Sequence, residues 1–79
     1  MELTDKEILD TEIGGRLIRD FSAIEFLGWV SSKMNGLATY TAANQELRLA
    51  VANPPMGRLM SDLEKCRIVR KLLTLNVTL

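Results

Sequence analysis

The only cysteine of the chain, Cys66, lies between two cations, Lys65 and Arg67. Neighbouring positive charges lower the pKa of a thiol and make it nucleophilic. The helical spacing of Cys66 from Leu63 and Val69 instead places it on an apolar stripe, where free cysteines are usually buried. We therefore expect Cys66 to be a core residue, and we predict no catalytic residue at this position.

The chain contains no histidine among its 79 residues. This composition excludes histidine-based catalytic triads, histidine metal ligands and an imidazole switch near neutral pH. The acidic residues show no paired spacing beyond helix caps and surface positions. Gly14-Gly15 lacks the further glycines, the preceding strand and the Lys-Ser/Thr pair of a phosphate-binding loop. We predict a protein that is not an enzyme and that binds no metal or cofactor.

A row of basic residues is present in the last predicted helix, and it consists of Arg58, Lys65, Arg67, Arg70 and Lys71. Such a row could neutralise the phosphates of a nucleic acid. Asp62 and Glu64 interrupt the row and, at helical spacing, would pair with Lys65 and Arg67. No aromatic residue lies among the bases for stacking. A solvated helix face is the favoured interpretation, and nucleic-acid binding is the alternative.

Trp29 falls outside the apolar arc of its predicted helix, between Glu25 and Lys33. Tryptophan is the residue type that most often dominates the energetics of protein interfaces. We predict that Trp29 and Lys33 contact a partner. The alternative is that Trp29 belongs to the core of a helix buried on both sides.

The last seven residues alternate between apolar and polar types, with Leu73, Leu75, Val77 and Leu79 on the apolar side. This period of two is typical of a half-buried strand. An uncharged strand without glycine or proline either completes its own sheet or pairs with another chain. We therefore predict a strand over residues 73–79, with Leu75, Val77 and Leu79 as partner-binding residues.

The first third of the chain carries two helix-start signals, the capping boxes Thr4–Glu7 and Ser22–Glu25. Gly14-Gly15 interrupts the apolar period between them, at a cost of about 1 kcal/mol for each glycine inside a helix. These signals predict either two helices with a junction near residues 20–22 or one helix bent at the glycines. Asn35 and Gly36 indicate the end of the helical segment.

Residues 37–53 combine helix-favouring composition with the alternation of Leu47, Leu49 and Val51. The predicted C-terminal strand needs a partner, so we interpret this segment as a β-hairpin whose second strand is residues 46–52. Prolines after Asn53 then start a third helix over about residues 55–71. The predicted fold is α+β, with helices on one face of a small sheet. An all-α bundle of three or four helices with an extended tail is the alternative.

The length and composition predict one globular domain over residues 1–79. Residues 1–26 carry seven acidic and three basic side chains, whereas residues 27–79 carry seven basic and three acidic ones. The two halves could therefore attract each other, within one chain or across a dimer. The acidic N-terminus, the single cysteine and the absence of a long apolar run predict a cytoplasmic protein without a membrane segment. The predicted function is a regulator-, adaptor- or inhibitor-type protein–protein interaction module that forms a homodimer.

Overall fold

The computed structural model describes residues 2–35, 42–53 and 60–79, with side chains omitted for residues 42–44. The described part is mostly helical and contains one two-stranded antiparallel hairpin, so the α+β prediction is confirmed at a coarse level. The elements are α1 (Asp5–Leu9), β1 (Glu12–Ile13), β2 (Arg16–Leu17), a 3-10 helix (Ile18–Asp20), α2 (Ala23–Met34), α3 (Ala42–Ala52) and α4 (Asp62–Thr74).

Helix α1 ends at Leu9, before the two glycines, so the predicted alternative of one helix bent at Gly14-Gly15 is wrong. The capping box at its start is present: the Thr4 hydroxyl accepts from the Glu7 amide at 3.1 Å, and the Glu7 carboxylate accepts from the Thr4 amide at 3.0 Å. Gly14 and Gly15 have φ values of 60° and 86° and form the two-residue turn of the hairpin. Two successive positive φ angles match the twist of a tight hairpin, and glycine adopts them without steric cost.

The second capping box starts α2 as a separate helix. The Ser22 hydroxyl accepts from the Glu25 amide at 3.2 Å, and the Glu25 carboxylate accepts from the Ser22 amide at 3.1 Å. This helix supplies five core residues, Ala23, Phe26, Leu27, Val30 and Met34. The start of α2 agrees with the predicted junction near residues 20–22, but the first helix ends at Leu9, and a hairpin and a 3-10 turn that were not predicted lie between the two helices.

The predicted hairpin over residues 37–53 is wrong where the structure describes it, because residues 42–52 form α3. In a strand, Leu47, Leu49 and Val51 would share one face. In the helix, Leu47 is buried and Leu49 on the other side is 56% exposed. The Ala, Gln, Glu, Leu and Arg content of the segment favours helix, and that propensity prevails over a short alternation. Residues 36–41 lie outside the described residues.

Helix α4 starts at a third capping box, formed by Ser61 and Glu64, and not at the prolines. The Ser61 hydroxyl accepts from the Glu64 amide at 3.2 Å. Residues 54–59, where the predicted helix began, lie outside the described residues. With this start, Cys66 is fully buried as predicted, whereas Leu63 is 71% exposed and does not belong to the apolar stripe.

The predicted C-terminal strand is also wrong, because α4 continues to Thr74 and the chain then reverses. Asn76 has a φ of 62°, in the left-handed region. The Asn76 amide donates to the Leu73 carbonyl at 3.0 Å, and the Val77 amide donates to the Leu72 carbonyl at 3.1 Å. These two bonds define a Schellman motif, which satisfies the last carbonyls of a helix. The alternation arises because the helix end and the reversed tail each turn apolar side chains toward the core.

The core lies where α1 packs on α4, α2 on α3, and α3 on α4. Its buried apolar members are Ile8, Leu9, Ile18, Ala23, Phe26, Leu27, Val30, Met34, Leu47, Met60, Cys66, Val69 and Leu72. No helix in the described ranges is both long and apolar enough to cross a lipid bilayer.

Candidate interaction site

Trp29 lies at the edge of the core. Its ring centroid is 5.8 Å from that of Phe26, with the two ring planes tilted by 41°. This is the offset, inclined geometry that aromatic pairs prefer. The side chain is half-buried and packs against the core cluster. Trp29 therefore combines the two predicted alternatives, since part of it contacts the core and the rest remains accessible.

Lys33 joins α2 to the reversed tail. Its ammonium donates to the backbone carbonyl of Leu79 at 3.1 Å. Because Lys33 follows Trp29 by four residues, the two side chains lie one helical turn apart on the same side of α2. Leu75, Val77 and Leu79 are half-buried and pack against the core cluster. We name the set Trp29, Lys33, Leu75, Val77 and Leu79 the α2–tail surface.

The α2–tail surface is apolar apart from one engaged cation. Two exposed polar residues, Asn76 and Thr78, alternate with its apolar members. An apolar centre beside uncharged polar groups is the usual arrangement of a protein interface. Its one ionisable side chain, Lys33, already donates a hydrogen bond. This arrangement suits contact with another apolar surface.

Lys65 does not lie on a basic surface, which corrects the prediction for this residue. It is only 2% exposed, and its ammonium donates to the backbone carbonyls of Ile18 at 3.0 Å, Arg19 at 3.2 Å and Phe21 at 2.7 Å. All three ammonium protons thus reach carbonyl groups at the 3-10 helix. Burial lowers the pKa of Lys65, and the nearby carboxylates of Asp20, Glu25 and Asp62 oppose that shift.

Lys65 turns inward because its position belongs to the buried face of α4. That face also contains Cys66, Val69 and Leu72. The four methylenes of a lysine can cover apolar surface while the charged end reaches a polar group. Here the polar group is the end of the 3-10 helix, where the Phe21 amide donates only to the Ile18 carbonyl and no further turn supplies donors to the carbonyls of Arg19 and Phe21. The predicted local pair with Asp62 is therefore replaced by a long-range contact.

Two further members of the basic row are held by acidic side chains. Arg70 forms an ion pair with Asp5 and also donates to the Leu3 carbonyl at 3.2 Å. The hydrogen bond from Arg70 to Asp5 raises the pKa of the Arg70 guanidinium. Lys71 pairs with Glu46 at 2.7 Å. The Asp5–Arg70 pair links the acidic and basic halves of the chain within one molecule.

Arg67 differs from the other described cations of the row. It is exposed, and it has no ion pair with any residue in the described ranges. Arg58 lies outside the described residues. The structure therefore does not present the row as a continuous set of free cations.

The thiol of Cys66 lies inside the fold. Its Sγ is 3.8 Å from the carbonyl of Asp5 and the residue has no exposed surface. Burial raises the pKa of Cys66, and the charge of Asp5 raises it further. A raised pKa leaves less thiolate at neutral pH, which is the opposite of an activated nucleophile.

An ion-pair cluster near the hairpin was not anticipated from the sequence. Arg16 pairs with Glu25, donates to the Asp20 carbonyl at 2.9 Å and lies 5.0 Å from the ring centroid of Phe21. The Arg16 guanidinium and the Ser22 cap together lower the pKa of Glu25 to about 2. The cluster fastens the hairpin to the start of α2. In the sequence, the only sign of this cluster is that Arg16 precedes Glu25 by nine residues, a spacing that predicts no contact.

A groove of about 320 Å³ lies between α3 and α4, where apolar and charged side chains alternate. Its lining consists of Glu46, Leu47, Ala50, Asn53, Met60, Glu64, Arg67, Ile68 and Lys71. Within the described residues, no group of three or more Cys, Asp or Glu side chains is arranged to hold a metal ion.

A scan against protein-family models found no matching family, and searches of the curated proteins and of the solved structures found no significant match.

Proposed function

We propose that this chain is a small, non-enzymatic protein–protein interaction module that self-associates through the α2–tail surface. The observation that carries the proposal is the hydrogen bond from Lys33 to the Leu79 carbonyl. That bond holds residue 79 beside α2, at a position one helical turn from the half-buried Trp29. The result is an apolar surface that the chain's own core covers only in part.

The physical argument rests on the size of the protein. A chain of 79 residues buries roughly 60% of the surface that it exposes when unfolded, so its core is small. Burying further apolar area contributes about 25 cal/mol per Å². A partner that covers the remaining area of Trp29, Leu75 and Val77 would supply this contribution. Such a contact is hydrophobic, so it persists at high salt.

A second copy of the chain is the partner that fits this surface. In a two-fold dimer the same patch meets itself, so like charges on the patch would repel each other. The only charged side chain of the α2–tail surface is Lys33, whose ammonium donates to the Leu79 carbonyl. The other members are apolar, so the patch can meet its own copy with little like-charge repulsion. Regulator, adaptor or inhibitor roles belong to the same proposal.

The test is a pair of substitutions that each place one new carboxylate at an exposed position. Thr78→Glu adds the charge at an exposed residue between two members of the α2–tail surface, and Leu63→Glu adds it at a side chain that is 71% exposed on α4. We expect Thr78→Glu to weaken dimerisation at least tenfold, because two carboxylates would be desolvated face to face. Leu63→Glu should leave it unchanged. Light scattering over a concentration series measures both.

Circular dichroism checks that both variants are folded at the concentrations used. Wild-type protein that stays monomeric at every concentration contradicts the proposal. A dimer that weakens equally in both variants contradicts the assignment of the surface.

Nucleic-acid binding through the basic row remains the alternative prediction. Arg67→Glu is its cleanest test, because the other described bases of the row contact acidic side chains or carbonyls. Binding of a labelled oligonucleotide that falls steeply with salt and is lost in this variant would favour the alternative over the proposal.

A further inference from the structure

The groove between α3 and α4 shares no lining residue with the α2–tail surface. Its volume is about 320 Å³, which is at the lower end of the range of ligand-binding pockets, and such pockets commonly form between helices. The apolar part of its lining consists of Leu47, Ala50, Met60 and Ile68. Leu47 and Met60 are buried, whereas Ala50 and Ile68 are half-buried. The groove therefore leaves apolar surface accessible to a ligand.

One positive charge is available among the four charged side chains that line the groove. Glu46 and Lys71 form an ion pair at 2.7 Å and neutralise each other. The Glu64 carboxylate belongs to the cap of α4, where it accepts from the Ser61 hydroxyl at 3.0 Å. Arg67 is exposed, and its guanidinium is the one charge of this lining that, within the described residues, is neither paired nor held in a cap.

We propose that the groove binds a small monocarboxylate with an apolar body. The carboxylate pairs with Arg67, and the body lies on Ala50 and Ile68. A guanidinium presents two parallel N–H donors that match the two oxygens of a carboxylate. A phosphate ester carries more negative charge, which the carboxylates of Glu46 and Glu64 in the same groove would repel. This site is independent of the proposed self-association, because it uses α3 and α4 and not the α2–tail surface.

Two probes with similar apolar bodies and opposite charges test the proposal. Octanoate carries the carboxylate, and octyltrimethylammonium carries a cation in its place. Titration of ¹⁵N-labelled protein with each probe, followed by the amide chemical shifts, gives both the affinity and the residues affected. We expect octanoate to bind saturably, to shift the amides of residues 46–53 and 64–71, and to bind at least about fivefold more tightly than the cation. The absence of saturable octanoate binding, or equal affinity for the two probes, overturns the inference.

The contact between the carboxylate and Arg67 is tested by a matched pair of variants. Arg67→Gln keeps a helix-favouring polar side chain, and it should weaken octanoate binding about fivefold without weakening the binding of the cation. Lys6→Gln removes the same charge at an exposed position on α1, outside the groove, and should leave octanoate binding unchanged. An equal loss in both variants would mean that only the net charge of the protein attracts octanoate, and it overturns the inference.

The position of the apolar body is tested by Ala50→Leu. Leucine favours helix almost as well as alanine, and its larger side chain occupies part of the groove. We expect this variant to weaken octanoate binding about fivefold, whereas Thr78→Glu on the other surface should leave it unchanged. If octanoate binds a monomeric wild type through Arg67, the proposed self-association fails and this inference stands. If the protein dimerises and octanoate shifts the amides of the tail instead of those of α3 and α4, this inference is overturned and the proposed function stands.

Discussion

Replacing Lys65 with methionine is the most informative perturbation of the fold. Methionine matches the length of the aliphatic stem and favours helix, so the change isolates the ammonium. The carbonyls of Arg19 and Phe21 then lose the ammonium as a donor in part-buried positions, whereas the buried Ile18 carbonyl keeps the Phe21 amide at 3.1 Å.

The magnitude follows from the two part-buried carbonyls that lose the ammonium, since the Ile18 carbonyl keeps one of its two donors. A buried carbonyl left without a donor costs about 1–3 kcal/mol, and part-buried ones cost less because water can reach them. Removing a buried charge returns some of this free energy, since its desolvation no longer opposes folding. We expect Lys65→Met to lower the free energy of unfolding by about 1–3 kcal/mol. For a small domain, that is a large share of the total stability.

Urea unfolding followed by the fluorescence of Trp29, the single tryptophan, measures this change. Arg67→Met is the matched control on the same helix, because Arg67 is exposed. It should change stability by less than about 0.5 kcal/mol. If the two variants lose the same stability, then Lys65 acts only through its stem and the carbonyl contacts contribute nothing.

Three other predictions test separate parts of the structure. Gly15→Ala should destabilise the folded protein by about 1 kcal/mol, because a φ of 86° is costly for alanine even though the space around residue 15 is open. If residue 15 were in a helix, the same change would stabilise the protein, so the sign of the change in urea unfolding distinguishes the two. Glu25, with its pKa lowered from 4.5 to about 2, contributes stability that is complete above about pH 4.5 and is lost as the pH falls toward 2. Glu25→Gln keeps the capping box, and it should reduce the fall of the urea midpoint between about pH 4.5 and about pH 2. If the midpoint falls as steeply in the variant as in the wild type, the Arg16–Glu25 pair contributes nothing. Cys66 should react with a thiol reagent at pH 8 at least tenfold more slowly in native protein than in urea, and equal rates would contradict its burial.

Local signals in the sequence predicted local structure correctly. The capping boxes at Thr4 and Ser22 mark helix starts because a side chain three residues on completes each cap. The core position of Cys66 followed from helical spacing. The third box, at Ser61, has the same signature and was overlooked because the prolines offered a competing start.

The errors have two physical causes. Gly14-Gly15 is compatible with a helix bend or a hairpin turn, and only the pairing of the flanking strands decides between them. Alternation over residues 73–79 arises from a helix end followed by a reversal, and short apolar patterns do not distinguish this from a strand. Because residues 73–79 were predicted to be a strand and a strand needs a partner, residues 46–52 were predicted to be that partner. The second error therefore followed from the first.

The contacts of Lys65 and Lys33 were beyond sequence reasoning because both are long-range. Lys65 meets carbonyls more than forty residues earlier in the chain, and Lys33 meets a carbonyl at residue 79. Amino-acid type and spacing along one helix cannot specify such acceptors. The partner-binding prediction rested on apolar alternation for the tail, and on residue type and helical position for Trp29. The structure adds the hydrogen bond that joins Lys33, one helical turn from Trp29, to Leu79.

Light scattering of the wild-type chain across a concentration series, at low and at high salt, tests self-association through the α2–tail surface most directly. The account predicts a dimer that persists at high salt, accompanied by a shift of Trp29 fluorescence to shorter wavelength as the dimer forms. A clean monomer at every concentration, or a dimer that salt dissolves while Trp29 fluorescence stays constant, would contradict it.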